Sequence, residues 1–343
     1  MISFHFCNKK NFFELKDFLK KNWKKNYILA KNKKLLDWQH LPRSNSRYNF
    51  IIAKRNLRVV GCLGLINNSK FSKKLISNDT IWLANWLVQK RTKISGLDFL
   101  SFLIKNLKFK KIGTVGGNTT TIQILKYLGF KTGKLNYFFL PNNNIKNFKL
   151  ISISKNKLFL SNKKSEYKKH KIKILNGSFR LKVFGNSLNK LVKKFGKDES
   201  YFINRYIIHP YYKYKIYWIY SWNNKLLGFF VIRICDYKKE KALRIVDFFG
   251  HENALIQIAH PLKDLLIKHK AEYIDFYEYG IGSLIMKKSG LLKNPFNKKI
   301  IIPNYFEPFV KKNIKISWAL KSAESTSTPI FKGDCDQDRP SKI

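Results

Sequence analysis

Cysteine is scarce and scattered: Cys7, Cys62, Cys235 and Cys335 are the four in 343 residues, with no CxxC and no neighbour at metal-ligand spacing. That excludes a disulfide scaffold and any ordinary zinc module, and it fits a reducing compartment. Acidic residues are few as well, 21 against 68 Lys and Arg, which leaves a formal net charge of +47. Within that excess only 10 are Arg and 58 are Lys, beside 32 Asn and 9 Ala. Arginine is the side chain that reads phosphates and base edges bidentately, so this skew reflects AT-rich codon usage, and no dedicated nucleic-acid interface is expected. Long apolar runs are missing too. The longest, Ile216–Trp222 and Leu226–Ile232, fall far short of the roughly 20 residues of a membrane span. The first residues, MISFHFCNKKNFFELKD, carry no basic stretch leading into an apolar one. The expectation is a chain that is neither secreted nor integral to a membrane.

What is present is aromatic and apolar: 44% hydrophobic residues, with 28 Phe, 17 Tyr and 7 Trp, mark a globular protein with a large core. Periodicity gives a strand at Ile2–Phe6, a helix at Phe12–Lys21, a short helix at Lys33–Trp38 and a strand pair, Tyr48–Lys54 with Arg58–Ile66. A strand at Thr80–Val88, a helix from Leu97 to Leu107, a strand at Lys111–Val115, a helix at Ile122–Leu128 stopped by Gly129, and a strand at Lys134–Leu140 follow. A Lys-rich bridge spans 142–177, with short strands expected near Phe148–Ile153 and Lys157–Leu160. Beyond it the order recurs: strands at Phe179–Phe184, Lys215–Ser221, Leu226–Ile234, Ala242–Phe249 and Tyr273–Tyr277, with helices at Leu188–Phe195, Leu262–His269 and before Gly290. A shift of 161 carries Gly129 onto Gly290, Ile81–Val88 onto Ala242–Phe249 and Gly113–Val115 onto Ile274–Phe276, the mark of a duplication. The fold class expected is mixed α/β (α+β), two tandem domains with mixed, mostly antiparallel sheets flanked by helices. Their bounds are 1–141 and 178–321, followed by an acidic tail, 322–343.

Residues Thr80 to Leu140 resemble the GNAT family of acyl-CoA N-acyltransferases. Strand Thr80–Val88 leads through Gln89-Lys90-Arg91-Thr92 into Lys93-Ile94-Ser95-Gly96-Leu97-Asp98 and a helix, where the family has a Q/R-x-x-G-x-G/A loop. Such a loop lets backbone N–H groups at a helix start approach a diphosphate closely. Gly96 matches, whereas Asp98 stands where the family has Gly or Ala. Asn118 followed by Ile124-Leu125-Lys126-Tyr127-Leu128-Gly129-Phe130 resembles the family's N…LYEKLGF helix, with Leu125 in place of the tyrosine that protonates the leaving thiolate in many members. The resemblance implies acetyl-CoA, or another acyl-CoA, as co-substrate, contacted by Leu87, Val88, Lys93, Ile94, Ser95, Gly96, Leu97 and Asn118. It also implies that backbone N–H groups of Ala84–Val88 polarise the thioester.

The whole chain is similar to paired GNAT proteins encoded with bacterial surface-polysaccharide genes, on two stretches. One is Trp23–Leu29 with Leu35-Leu36-Asp37-Trp38-Gln39-His40; the other is Ile300–Phe309 with Phe331–Pro340. That likeness implies an amino sugar or nucleotide-linked amino sugar as acceptor, with Trp38, His40, Asn304, Tyr305, Glu307, Asp336, Asp338 and Arg339 as substrate-binding residues. It also implies a bacterial, cytoplasmic enzyme of cell-envelope glycan synthesis, at most peripheral to the inner membrane. Two alternatives stay open: an aminoacyltransferase of the peptidoglycan-bridge kind using charged tRNA, and an inactive paired-GNAT scaffold. Acyl transfer to an amine needs a base, and Asp247, Asp275, Tyr277 and Glu278 lie near predicted strand ends, with Glu278 and Asp247 the candidates taken forward. In the tail, Asp334, Asp336 and Asp338 alternate, so an extended segment would point all three one way and Arg339 the other. The run lacks the Gly and Glu of a calcium loop, and no metal is expected.

Overall fold

The computed structural model describes residues 1–23, 26–42, 46–72, 74–75, 79–153, 171–174, 188–323 and 328–341. The first half is built from β1 (Ile2–Asn8), α1 (Phe12–Asn22), α2 (Ile28–Lys31), α3 (Lys33–His40), β2 (Arg47–Arg55) and β3 (Arg58–Asn67). Next come β4 (Thr80–Val88), α4 (Gly96–Asn106), β5 (Lys111–Val115), α5 (Thr119–Tyr127), β6 (Lys131–Lys134) and β7 (Asn136–Pro141). The apolar spacing of α1 has a plain cause in packing, since Phe12, Leu15, Phe18 and Leu19 are its buried residues. They pack with Phe50, Ile52 and Cys62 of the β2–β3 pair. The opposite face of that sheet takes Phe99, Leu100 and Leu103 of α4 against Ile51, Leu63, Ile81 and Ile112.

The second half runs β8 (Lys171–Ile174), α6 (Val192–Phe195), α7 (Glu199–Phe202), β9 (Tyr214–Tyr220), β10 (Leu226–Tyr237), β11 (Glu240–Gly250), α8 (Ala259–His269), β12 (Tyr273–Tyr279) and α9 (Ser283–Lys288). Short strands β13 (Leu292–Lys293), β14 (Tyr305–Phe306) and β15 (Phe309–Val310) precede β16 (Ser317–Ser322) and β17 (Ile330–Phe331). Among the described residues no helix is long and apolar enough to cross a membrane.

Two large sheets result, one in the order β1-β2-β3-β4-β5-β16-β6 and the other β8-β9-β10-β11-β12-β7-β13. Each has one parallel pair at its centre. In the first, Ile81 pairs with Ile112 and Trp82 with Gly113; in the second, Ala242 pairs with Tyr273 and Leu243 with Ile274. These are the same registers under the shift of 161 seen in the sequence. The glycines that end α5 and α9 match too: Gly129 has φ +78° and Gly290 φ +79°, the left-handed position after a helix that side chains resist.

The halves exchange a strand. The strand expected at Lys134–Leu140 is β7, but it pairs with β12 and β13 in the second sheet, while β6 just before it stays in the first. In return β16, read in sequence as the last part of the second half, lies between β5 and β6. The chain leaves the first sheet at Leu135, whose N–H donates to Ile316 O at 2.9 Å, because β16 already fills the place beside β5. Two further expectations are altered. β8 lies inside the segment read as a bridge and pairs with β9, and Phe148–Ile153 forms an isolated bridge, Ser152 with Ile301, in place of a strand. The expected strands Lys157–Leu160 and Phe179–Phe184 lie outside the described residues. A single large core runs from Trp82, Ala84 and Val115 of the first sheet through Phe229, Phe248 and Phe276 of the second.

Candidate functional site

In both sheets the central parallel strands part company along their length, and the tail after residue 328 lies in both openings. In the second sheet pairing of β11 with β12 stops at Ile245 with Phe276, and β17 then bonds to β12 while Gly333 N–H donates to Val246 O on β11. In the first, pairing of β4 with β5 stops at Trp82 with Gly113. There Cys335 Sγ donates to Leu83 O at 3.3 Å, and Gln337 packs so closely on Gly116 that a Cβ at that position would lie 2.0 Å from its side-chain nitrogen. Past the divergence β4 carries a bulge, with Asn85 at φ +49°.

The tail is held by buried charge. Lys197 Nζ lies 2.8 Å from Asp247 and 2.9 Å from Asp334, and the Tyr206 hydroxyl donates to Asp247 at 2.6 Å. Burial, opposed by Lys197, pushes the Asp247 carboxyl above its usual range. Arg205 donates to the carbonyls of Gly333 and Cys335. Asp338 receives two bonds from Arg233, at 3.1 and 2.9 Å, and one from the Tyr214 hydroxyl. Burial works to raise the Asp338 carboxyl, but Arg233, Lys332 and Arg244 outweigh it and hold it well below the usual carboxylate range.

Between this tail and the face of β10 and β11 lies a cavity of about 100 Å³. Its floor is set by sheet register, because Arg233 and Arg244 are direct partners across β10 and β11. Its walls are the loop Asn304–Glu307, Tyr212, and Lys332 with Asp336–Arg339 of the tail. Six of the residues expected to bind substrate, Asn304, Tyr305, Glu307, Asp336, Asp338 and Arg339, line this one chamber. The Asn304 amide is 2% exposed and lies against the Tyr277 phenol without meeting hydrogen-bond geometry, so a buried amide faces a partner it does not fully engage. Glu307 accepts from the Tyr212 hydroxyl at 2.8 Å and Ser341 N–H at 3.1 Å. Asp336 pairs with Arg339 at 3.3 Å.

The tail acids do not form the single row expected of an extended strand. Residues 332–339 are a series of turns, which send Asp334 to Lys197, Asp336 to Arg339 and Asp338 to Arg233. Nor do the remaining candidates join the chamber. Trp38 packs edge-on against His209 at 4.3 Å and donates to Asn204 O. His40 is fully buried under the first sheet, where its Nδ1 donates to Leu65 O and its Nε2 accepts from Asn85; burial lowers its pKa to about 3 and keeps it neutral. Asp247 is 0% exposed with its oxygens engaged, which leaves it no access to a substrate. Glu278 is buried at the end of β12, accepting from Asn136 and from Ile281 N–H, and burial raises its pKa to about 7.

A diphosphate-bearing donor requires unpaired N–H groups at a helix start, and the two halves differ there. At α8 those groups are spent: Gln257 N–H donates to Lys288 O at 2.9 Å and Ala259 N–H to Ser289 O at 3.1 Å. At α4 the turn is exposed and carries Lys90, Arg91 and Lys93, with Ile94 tucked beneath it and Ser95 as the cap. The N–H groups of Gly96 and Leu97 have no carbonyl partner inside the helix by geometry. Asp98, the unfavourable charge, is folded back: one carboxylate oxygen accepts from Ser95 N–H at 2.8 Å and from its hydroxyl at 3.2 Å. A Cβ on Gly96 would lie 2.8 Å from the Trp86 ring, so the glycine is needed for close packing at the turn. The α4 start therefore fits an acyl-CoA diphosphate, and the α8 start does not. Leu87 and Val88 are half-buried at the end of β4, and Asn118 caps α5 by accepting from Thr121 N–H. Leu125 is fully buried, while Tyr127 is 88% exposed.

Sequence reasoning missed Arg233, Arg244 and Lys332. A signal existed for the arginines, since two of only 10 in the chain interrupt the apolar runs Val231–Ile234 and Leu243–Val246. A charge at an inward strand position needs a buried partner.

No family model matches the sequence, and no curated protein matches it. Among solved structures the chain is similar to a GCN5-related N-acetyltransferase from Anabaena variabilis, with 11% identity and a TM-score of 0.53 over 94% of this chain and 73% of that one. It is also similar to a GCN5-related N-acetyltransferase from Kribbella flavida, at 9% identity and a TM-score of 0.52 over 94% of this chain and 71% of that one. With its two mixed sheets, each opened at a central parallel pair, and this overlay along nearly its whole length, the chain has the GNAT fold.

Proposed function

We propose that the protein is a cytoplasmic acyl-CoA-dependent N-acyltransferase built from two GNAT modules, acetylating an amino sugar or nucleotide-linked amino sugar for cell-envelope glycan synthesis. The donor sits at the first sheet, on the α4 start, with its thioester toward β4 beyond the bulge at Asn85. The acceptor sits in the chamber lined by Arg233, Arg244 and the tail. One observation carries the reading: Cys335 is bonded to Leu83 in the opening of the first sheet, and its neighbour Asp336 lines the chamber. Strand β4, toward which the thioester points, and the acceptor chamber are thus one residue apart along the tail. Alternating carboxylates, arginines and an amide suit a polar, amine-bearing, polyhydroxylated ligand better than an apolar one.

The experiment is calorimetric binding of acetyl-CoA, followed by a transfer assay over glucosamine and nucleotide-linked amino sugars. Binding lost in Gly96→Val, and release of free thiol only when an amino sugar is present, are expected. A protein that binds no acetyl-CoA sinks the reading. The tail in both sheet openings favours a second one, a paired-GNAT binding protein without turnover. It predicts amino-sugar binding with no thiol release.

A further inference from the structure

We infer that Lys332 is the base that takes the proton from the acceptor amine in the chamber, a role that rests on the transfer reading above. Three observations place it there. Lys332 lines the cavity, yet is only 3% exposed. Each of the chamber's three arginines has a carboxylate partner, Arg233 with Asp338, Arg244 with Asp275 and Arg339 with Asp336. Among the described residues no carboxylate lies within ion-pair distance of Lys332, and its Nζ donates to the Asn304 carbonyl at 3.1 Å.

The groups facing it come from every surrounding element. β10 supplies Arg233, β11 Arg244, β12 Asp275 and the Tyr277 ring, the loop Tyr305, and the tail Asp338. Burial first, then repulsion by Arg244 and Arg233, outweighs the pull of Asp275 and Asp338 and lowers the lysine pKa to about 7. A buried cation between two arginines, with no carboxylate of its own, readily gives up its proton. Uncharged, the amine keeps one N–H on the Asn304 carbonyl and has a lone pair left for a substrate proton.

The chemistry balances. The acceptor ammonium passes one proton to Lys332, and its freed lone pair attacks the thioester carbonyl. The C–N bond forms, the C–S bond breaks, and the thiolate leaves with the proton that the new amide nitrogen gives up. Lys332 returns its own proton to solvent, so an ammonium and acetyl-CoA give an amide, free coenzyme A and one proton. A Brønsted base near the working pH contributes about 100-fold or more to such a step.

The test compares the intact protein with Lys332→Met and Lys332→Gln in acetyl transfer to glucosamine and nucleotide-linked amino sugars between pH 5.5 and 9. Wild-type kcat is expected to rise to a plateau above about pH 7. Both variants should lose about 100-fold or more in kcat and the plateau with it, while acetyl-CoA affinity and melting temperature hold. In parallel, labelling of Lys332 by acetic anhydride, read by mass spectrometry against pH, should show a midpoint near 7. Variants that keep the wild-type profile, a labelling midpoint above 9, or a kcat loss matched by loss of acetyl-CoA affinity and of melting temperature each overturn the assignment alone. A wild-type protein that transfers to no amine overturns the transfer reading, and the base with it.

Discussion

Arg244 and Asp275 stand opposite each other on the parallel pair β11 and β12 and share a buried bidentate ion pair, with Nη2 at 2.8 Å from Oδ2 and Nε at 3.0 Å from Oδ1. That pairing aims the remaining nitrogen, Nη1, at the Asn304 carbonyl at 2.9 Å, so a strand register fixes the loop that walls the chamber. Asp275→Asn leaves a buried guanidinium without its counter-charge and should cost about 3–5 kcal/mol of stability. Urea unfolding followed by tryptophan fluorescence reads it. A loss under 1 kcal/mol would show that the pair is solvated and that the loop is held by something else.

Asp336 and Asp338, two residues apart, should behave differently. Asp338 is buried against Arg233 and Tyr214, so Asp338→Asn breaks a desolvated pair and should cost about 3–5 kcal/mol, with donor and acceptor use falling together. Asp336 borders the chamber and its pair with Arg339 is less buried, so Asp336→Asn should cost less than Asp338→Asn and raise the acceptor KM at unchanged acetyl-CoA affinity. Equal stability losses in the two variants would place both among the buried ion pairs that hold the tail.

The strands and helices around the parallel pairs were legible because alternation and 3.6-residue spacing survive in them. Leu15, Phe18 and Leu19 of α1, or Ile51 and Leu63 of the β2–β3 pair, are buried where their periodicity puts them. The exchanged strands were not, since β6, Lys131–Lys134, holds no apolar residue to mark it as a strand, and nothing in the apolar run of β7 tells which sheet it joins. The chamber was half legible. Its loop and tail residues sit in polar stretches that attract notice, whereas Arg233 and Arg244 become neighbours only through the β10–β11 register. Asp334, Asp336 and Asp338 were read from spacing as one row, and turns, which spacing does not encode, sent them three ways.

Glu278 gives a pH prediction with a fixed sign. Burial raises its pKa from 4.5 to about 7, so between those values the native state holds a proton that the unfolded state has lost. Its contribution to stability is therefore fully present below pH 4.5 and falls away as pH rises to about 7. Relative to wild type, Glu278→Gln should gain about 3 kcal/mol between pH 4.5 and 7.5 on top of a constant offset. His40 and His209, which burial holds neutral with pKa values of about 3, act with the opposite sign but equally in both proteins. Denaturation midpoints of the pair across this range check it, and parallel curves would mean that the carboxyl is hydrated.

The exchange of β7 and β16 predicts that the two halves unfold as one. Each sheet owes a strand to the far half of the chain, so neither can open without unpairing the other's edge. Trp318 on β16 is the joint: 1% exposed, it sits in the first sheet and packs on Tyr279 of the second at 4.0 Å between ring centres. Trp318→Ala removes that side chain from both and should cost about 3–5 kcal/mol. Scanning calorimetry of the wild-type protein should give one transition with equal calorimetric and van't Hoff enthalpies, and the variant one transition at lower temperature. Two modules joined only in sequence would behave otherwise, with the first melting unchanged while the second moves. Two resolved transitions in the wild-type protein would show that the exchanged strands do not couple the halves.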